Sequence, residues 1–145
     1  MEFKNTNKQI LLAEGFAPSR EIMTQILTIL GYDFVTVSTG YEVILSLKKE
    51  RFDLILLDLE LPEFDGFETI EHIRRNMNFP ENATPVLAMT NKDFSSEFSQ
   101  TYKDEGFDGV IVKPFSLDDL DKTIQEVLTK KTATEKVIIP NRKEP

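Results

Sequence analysis

The sequence predicts an α/β fold of five strand–helix units around one parallel sheet, and three observations predict it. Of five short apolar runs, several lack the polar alternation of a half-exposed strand, as expected where both faces of the sheet are covered. Segments with apolar residues at helical spacing lie between them, most with start or stop signals of their own. The alternation continues without internal repeats over 145 residues, a length suited to one domain. Right-handed crossovers then put helices on both faces, and the doubly wound, flavodoxin-like order 2-1-3-4-5 is the common solution for five units.

In chain order, residues 1–8 read as a polar leader, and Ile10 to Ala13 form the first apolar run. Ser19 precedes Ile22, Met23, Ile26, Leu27 and Leu30, with Gly31 as the stop. Phe34 to Val37 is the second run, and Thr39 with Glu42 has capping-box spacing ahead of Val43, Ile44 and Leu47. Leu54 to Leu57 is the clearest centre strand. Asp65 and Glu68 then open a helix carrying Phe67, Ile70, Ile73 and Met77. Pro85 to Met89 is the fourth run. The helix after it, about residues 95–105, has only Phe94, Phe98 and Tyr102 on its apolar face and is expected to be the least firmly packed. Val110 to Val112 follows, and Ser116 opens a last helix with the stripe Leu117, Leu120, Ile124, Val127 and Leu128. These elements delimit a domain over 9–129. Residues 130–145 carry five Lys or Arg against two Glu and read as a flexible basic tail or linker.

Composition excludes several classes of function. The chain has no Cys, so neither a disulfide framework nor a Cys-based zinc site is available. A net charge of −8 argues against general binding to nucleic acid, whose affinity comes chiefly from Lys and Arg neutralising phosphates, and disfavours anionic membrane surfaces. No run approaches the length of a membrane span and the start carries no secretory pattern, so the cytoplasm is the expected compartment. The one His, His72, leaves no two-His metal site and is assigned to a solvated helix face with no chemistry. Carboxylates are left to carry any reaction.

Open parallel sheets place their sites at the carboxyl ends of the strands. Those ends carry Ala13-Glu14-Gly15, Asp58-Leu59-Glu60, Thr90-Asn91 and Lys113-Pro114. Converging carboxylates suit a hard divalent cation such as Mg²⁺, a lysine and a hydroxyl supply donors to phosphoryl oxygens, and Asp58 is placed to act as a nucleophile toward phosphorus.

The segment from Leu56 to Glu68 resembles the phosphoacceptor segment of response-regulator receiver domains of two-component signalling. Pro62 and Gly66 stand four and eight residues after Asp58. Thr90 resembles that family's switch Thr/Ser, and Lys113-Pro114 its Lys with a following, usually cis-linked Pro; the resemblance covers about residues 9–129. It implies that Asp58 accepts a phosphoryl group from the phosphohistidine of a histidine kinase or phosphotransfer protein, with Mg²⁺ held by Asp58, the Glu60 backbone carbonyl and Glu14. It further implies that Thr90 bonds a phosphoryl oxygen and that Lys113 pairs with the carboxylate and then the phosphate. Phosphorylation then shifts the loop after Thr90 and the face of the fourth helix, fifth strand and fifth helix, where a downstream protein docks.

Three positions depart from the family pattern. Gly15 stands where the family carries the second of two adjacent acids, a direct metal ligand, so the site is expected to bind Mg²⁺ weakly unless Glu14 or the Glu60 side chain reaches in. Val110 replaces the Tyr or Phe that swings inward when the Thr moves, with Phe107 nearby but out of register. Asn91 follows Thr90 where many members have Ala or Gly. The expected function is therefore a phosphoacceptor switch rather than an enzyme, the alternative being a pseudo-receiver that docks partners without phosphorylation. An aspartate-based phosphatase is disfavoured because its Asp-x-Asp motif follows the first strand, and a flavin-binding flavodoxin because 14–20 lacks a Ser/Thr/Gly-rich phosphate loop.

Overall fold

Leu54–Asp58 is buried at every residue, which an all-apolar run ending in one carboxylate achieves only at the centre of a sheet covered on both faces. In the computed structural model, which describes residues 7–142 (side chains of 92–97, 99 and 130–142 excepted), this strand is β3. The strands are β1 (Gln9–Ala13), β2 (Asp33–Val37), β3 (Leu54–Asp58), β4 (Val86–Thr90) and β5 (Gly109–Val112). The helices are α1 (Ala17–Leu30), α2 (Gly40–Lys49), α3 (Gly66–Asn76), α4 (Lys92–Glu105) and α5 (Leu117–Arg142), with a short 3-10 turn at Glu81–Ala83. All strand pairs are parallel, in the order β2-β1-β3-β4-β5. The flavodoxin-like order expected from five alternating units is the one observed.

Two cores follow from the alternation of side chains across the sheet. Ile10, Leu12, Leu54, Leu56, Leu87 and Met89 face α1 and α5, where they meet Met23, Leu27, Leu120 and Ile124. Leu11, Ala13, Ile55, Leu57, Val86 and Ala88 face the opposite side, against Val43, Leu47, Ile70 and Ile73. Fully burying each such aliphatic side chain contributes about 1.5–3 kcal/mol. That burial, more than helix propensity, fixes these helices on the sheet.

The capping signals act as read at α2 and α3. Thr39 and Asp65 each accept from the amide three residues on, while Glu42 and Glu68 reach back to the cap amides. Ser116 and Asp119 make the same reciprocal pair at the start of α5. At α1 the expectation is corrected: the helix starts at Ala17, ahead of Ser19, and Phe16 at the N-cap has no side-chain cap. Pro18 lies in that first turn, where a missing N–H costs nothing. β4 begins one residue later than its apolar run, at Val86; Pro85 has no N–H for the ladder, and its carbonyl accepts from Ile55 at 2.9 Å.

α4 begins at Lys92, ahead of the expected start. Phe98 on this helix is 6% exposed, because Phe67 of α3 and Phe107 before β5 meet its ring edge-on at centroid distances of 5.6 and 5.5 Å. The Phe94 side chain lies outside the described residues. His72 is half-buried rather than on a fully solvated face, its ring 6.3 Å from Phe64 in an edge arrangement. Of the leader, residues 1–6 lie outside the described residues. Helix α5 runs past 129 to Arg142, over most of the segment read as a tail.

Candidate functional site: an acid pair and a lysine at the strand ends

Three strand ends converge at the carboxyl edge of the sheet. β1 delivers Glu14, β3 ends on Asp58, and the chain leaving β5 carries Lys113. Glu14 and Asp58 are buried, 2% and 6% exposed. The Lys113 ammonium donates to Asp58 Oδ2 at 2.9 Å and to Glu14 Oε1 at 3.2 Å. One cation thus compensates two buried carboxylates.

Backbone pairing holds each member in place. Glu14 N–H donates to the Val37 carbonyl at 3.1 Å, Leu59 N–H to Met89, also at 3.1 Å, and Lys113 N–H to Thr90 at 2.7 Å. Asp58 Oδ1 accepts from the Glu60 amide at 2.9 Å, which orients the carboxylate. Glu14 Oε2 accepts from the Phe16 amide at 3.3 Å. Arg20, which sequence reasoning did not single out, donates to the Glu14 carbonyl at 2.7 Å from the first turns of α1. Nothing in the chain's local pattern marks that contact.

Two carboxylates and one ammonium leave the pocket with an excess of negative charge. Burial, reinforced by hydrogen bonding and repulsion from Asp58, raises the Glu14 carboxyl to about 7, although Lys113 opposes the shift. The Lys113 ammonium is shifted upward: burial works against its charge, and the hydrogen bond and attraction of Asp58, with Glu14 behind, overcome it. Such a site would gain from a divalent cation, and the oxygen donors present fit the hard-ligand preference of Mg²⁺. Among the described residues no group of three or more His, Cys, Asp or Glu is placed to hold a metal. Glu14 and Asp58 are the two buried carboxylates that could take part in holding one.

The remaining site residues stand on the neighbouring strand ends and loops. Thr90 is 2% exposed and stands one position beyond Met89, the partner of Asp58 in the sheet register. Its hydroxyl donates to the Asn91 carbonyl at 3.4 Å. The Glu60 carboxylate does not turn toward Asp58: its Oε2 accepts from Asn91 Nδ2 at 2.9 Å, linking the loops after β3 and β4. Of Glu14 and Glu60, it is Glu14 whose carboxylate lies with Asp58, on the shared Lys113 ammonium. Val110 is half-buried against the α2–α3–α4 core, and Phe107, 2% exposed, is built into the aromatic cluster beneath α4. Lys113-Pro114 is a cis peptide, as the resemblance implied.

Gly66 shows why the loop motif has its spacing. A Cβ there would lie 2.7 Å from Leu59 Cα and 2.9 Å from the Asp58 carbonyl oxygen. The N-terminus of α3 packs directly against the backbone that presents Asp58. Only glycine permits that approach.

Fold and pocket together define a class, a doubly wound sheet with an acid pair and a lysine at its carboxyl edge. The chain matches the response regulator receiver domain family over residues 10–125 and belongs to that family. It is 32% identical to a probable transcriptional regulator, ycf27, of Pyropia yezoensis over 125 residues, 86% of this chain and 49% of that protein. Similarity to the alkaline phosphatase synthesis transcriptional regulatory protein PhoP of Bacillus subtilis is also 32%, over 84% of this chain and 49% of the relative. The chain thus spans about half the length of these relatives. Among solved structures, chemotaxis response regulator CheY4 of Vibrio cholerae superimposes with a TM-score of 0.74 at 31% identity, covering 84% of this chain and 99% of that one. The receiver domain of sensor histidine kinase PA1611 from Pseudomonas aeruginosa, with magnesium in its active-site cleft, gives 0.74 at 26% identity over 84% of this chain and 98% of its own. Receiver domains are signalling modules that work with histidine kinases and phosphotransfer partners, not enzymes in the ordinary sense. No helix of the described residues is long and apolar enough to cross a membrane.

Proposed function

We propose that this domain accepts a phosphoryl group on Asp58 from the phosphohistidine of a histidine kinase or phosphotransfer protein and so switches its contacts with a downstream protein. The observation that carries the reading is the Lys113 ammonium 2.9 Å from a buried Asp58 carboxylate whose other oxygen is held by the Glu60 amide. An Asp58 oxygen attacks phosphorus, the phosphorus–nitrogen bond breaks, and the imidazole nitrogen leaves with its electron pair. Lys113 moves from the carboxylate to the new phosphoryl oxygens, and Thr90 offers its hydroxyl, now loosely engaged, to another. Mg²⁺, held by Asp58, Glu14 and the Glu60 carbonyl, would supply the positive charge that offsets the incoming phosphate. Binding is weak because Gly15 adds no ligand.

The response travels through the loop after Thr90 to the face formed by α4, β5 and α5. With Val110 at the position of the usual aromatic and Phe107 fixed in the core, it proceeds without an inward-swinging ring. The partner is a protein, nucleic acid is not contacted through this domain, and the setting is cytoplasmic.

Incubation with phosphoramidate or acetyl phosphate and Mg²⁺ is expected to add one phosphoryl group by mass, absent in Asp58→Asn. A folded protein that gains no adduct while its partners still bind would support the phosphorylation-independent pseudo-receiver instead.

A further inference from the structure

Arg20 lies near the N-terminus of α1, a helix start with no side-chain cap and no acid in its first turn. The helix dipole disfavours a cation there, so helix stability does not account for it. Its guanidinium instead turns back along the chain and donates through Nη1 to the Glu14 carbonyl at 2.7 Å. Gly15, with the wide choice of backbone conformations open to glycine, lies between that carbonyl and the Phe16 amide, which donates to Glu14 Oε2 at 3.3 Å. Arg20 thus clamps the peptide on one side of Gly15, and the peptide on the other side holds the Glu14 carboxylate. Glu14 Oε1 is left to share the Lys113 ammonium with Asp58. Arg20 is half-buried, and the Glu14 it holds is buried.

We infer that Arg20 is a positioning residue of the cation site: by fixing the peptide between Glu14 and Gly15 it sets the Phe16 amide and so presents the Glu14 carboxylate beside Asp58. Gly15 offers no acid, so a Glu14 that loses this orientation leaves Asp58 as the one buried carboxylate in place. Groups that hold a metal-binding residue from behind account for about 10–100-fold in metal affinity. The inference rests on the receiver reading of the pocket, and its sign is the reverse of what charge alone dictates. Removing a positive charge near a cation site strengthens cation binding, whereas losing the hold on Glu14 weakens it.

Mg²⁺ titrations followed by NMR shifts at pH 8 test it, with Tm in chelator as a separate readout. Arg20→Met, which loses both the charge and the donor, is expected to bind Mg²⁺ about tenfold more weakly than the native protein. Arg20→Lys, which keeps the charge and a donor, is expected to retain most of the affinity. In a Glu14→Ala background Arg20→Met is expected to cost nothing more, since Arg20 acts through Glu14. Arg74→Met, which releases contacts at the start of β4, is expected to lower Tm without weakening Mg²⁺ binding, and so separates positioning from a general loss of stability. Arg20→Gln gives the same comparison if Arg20→Met does not fold. Binding by Arg20→Met as tight as native or tighter, or an equal further loss in the Glu14→Ala background, overturns the inference and leaves the receiver reading standing. Absence of Mg²⁺ binding in the native protein also overturns it, and the receiver reading falls with it only if phosphoramidate adds no phosphoryl group.

Discussion

Lys113 and Asp58, 55 positions apart in the chain, meet with 2.9 Å between ammonium and carboxylate. The same ammonium serves Glu14, so removing it strands two buried acids at once. Breaking a buried pair by deleting one partner costs about 3–5 kcal/mol, and with Lys113 one-third exposed a smaller loss of about 1–2 kcal/mol is expected for Lys113→Met. The loss is expected to be larger at pH 8 than at pH 6, because Glu14 takes up a proton at the lower pH. Urea denaturation at the two values measures it.

Glu14 gives the metal-free protein a pH dependence of definite sign. Its carboxyl titrates at about 7 in the native state against 4.5 in the unfolded chain, so the native state binds more protons between those values. Stability is therefore expected to fall as pH rises from about 4.5 to about 7, by roughly 3 kcal/mol, and then to level. Glu14→Gln, which keeps an oxygen for Lys113, is expected to flatten that slope in chelator. A slope unchanged in the variant assigns the dependence to another group.

Arg74 ties the helix layer to the sheet. From α3 its guanidinium donates to the carbonyls of Gly106, Asn82 and Thr84 and to the Asp108 carboxylate, whose Oδ2 also takes the Val86 amide at the start of β4. Arg74→Met leaves several polar groups without a partner, and a loss of about 2–4 kcal/mol is expected. Hydrogen exchange of the segment 80–86 is expected to accelerate with it.

Glu63 holds a φ of +69° in the turn between Pro62 and Phe64. A non-glycine residue there stores about 1–3 kcal/mol of strain, and glycine returns part of the gain as unfolded-state entropy. Glu63→Gly is expected to stabilise by about 0.5–1 kcal/mol, or roughly 1–4 °C in Tm. A fall in Tm would show that the Glu63 side chain has a stabilising contact of its own.

Gly66→Ala is expected to destabilise by about 1–3 kcal/mol, the usual range for overpacking, because the added methyl meets the backbone of Leu59 and Asp58. Displacement of that backbone also moves the nucleophile, so the rate of Asp58 phosphorylation by phosphoramidate is expected to fall with Tm.

Sequence alone determined the five units, their order in the sheet and the strand ends that carry Glu14, Asp58, Thr90 and Lys113. Each of those depends on local spacing: apolar runs covered on both faces, caps such as Thr39 with Glu42, and the offsets of Pro62 and Gly66 from Asp58. The start of α1 escaped a local reading because Pro18 could open the helix without a side-chain cap. The half-burial of His72 and the cluster of Phe98 with Phe67 and Phe107 escaped it because their contacts come from other elements. Only the tertiary structure decided that one ammonium spans both acids and that the Glu60 carboxylate is taken by Asn91. Those relations join residues tens of positions apart, and they depend on where rigid backbone segments come to rest, which no local periodicity encodes.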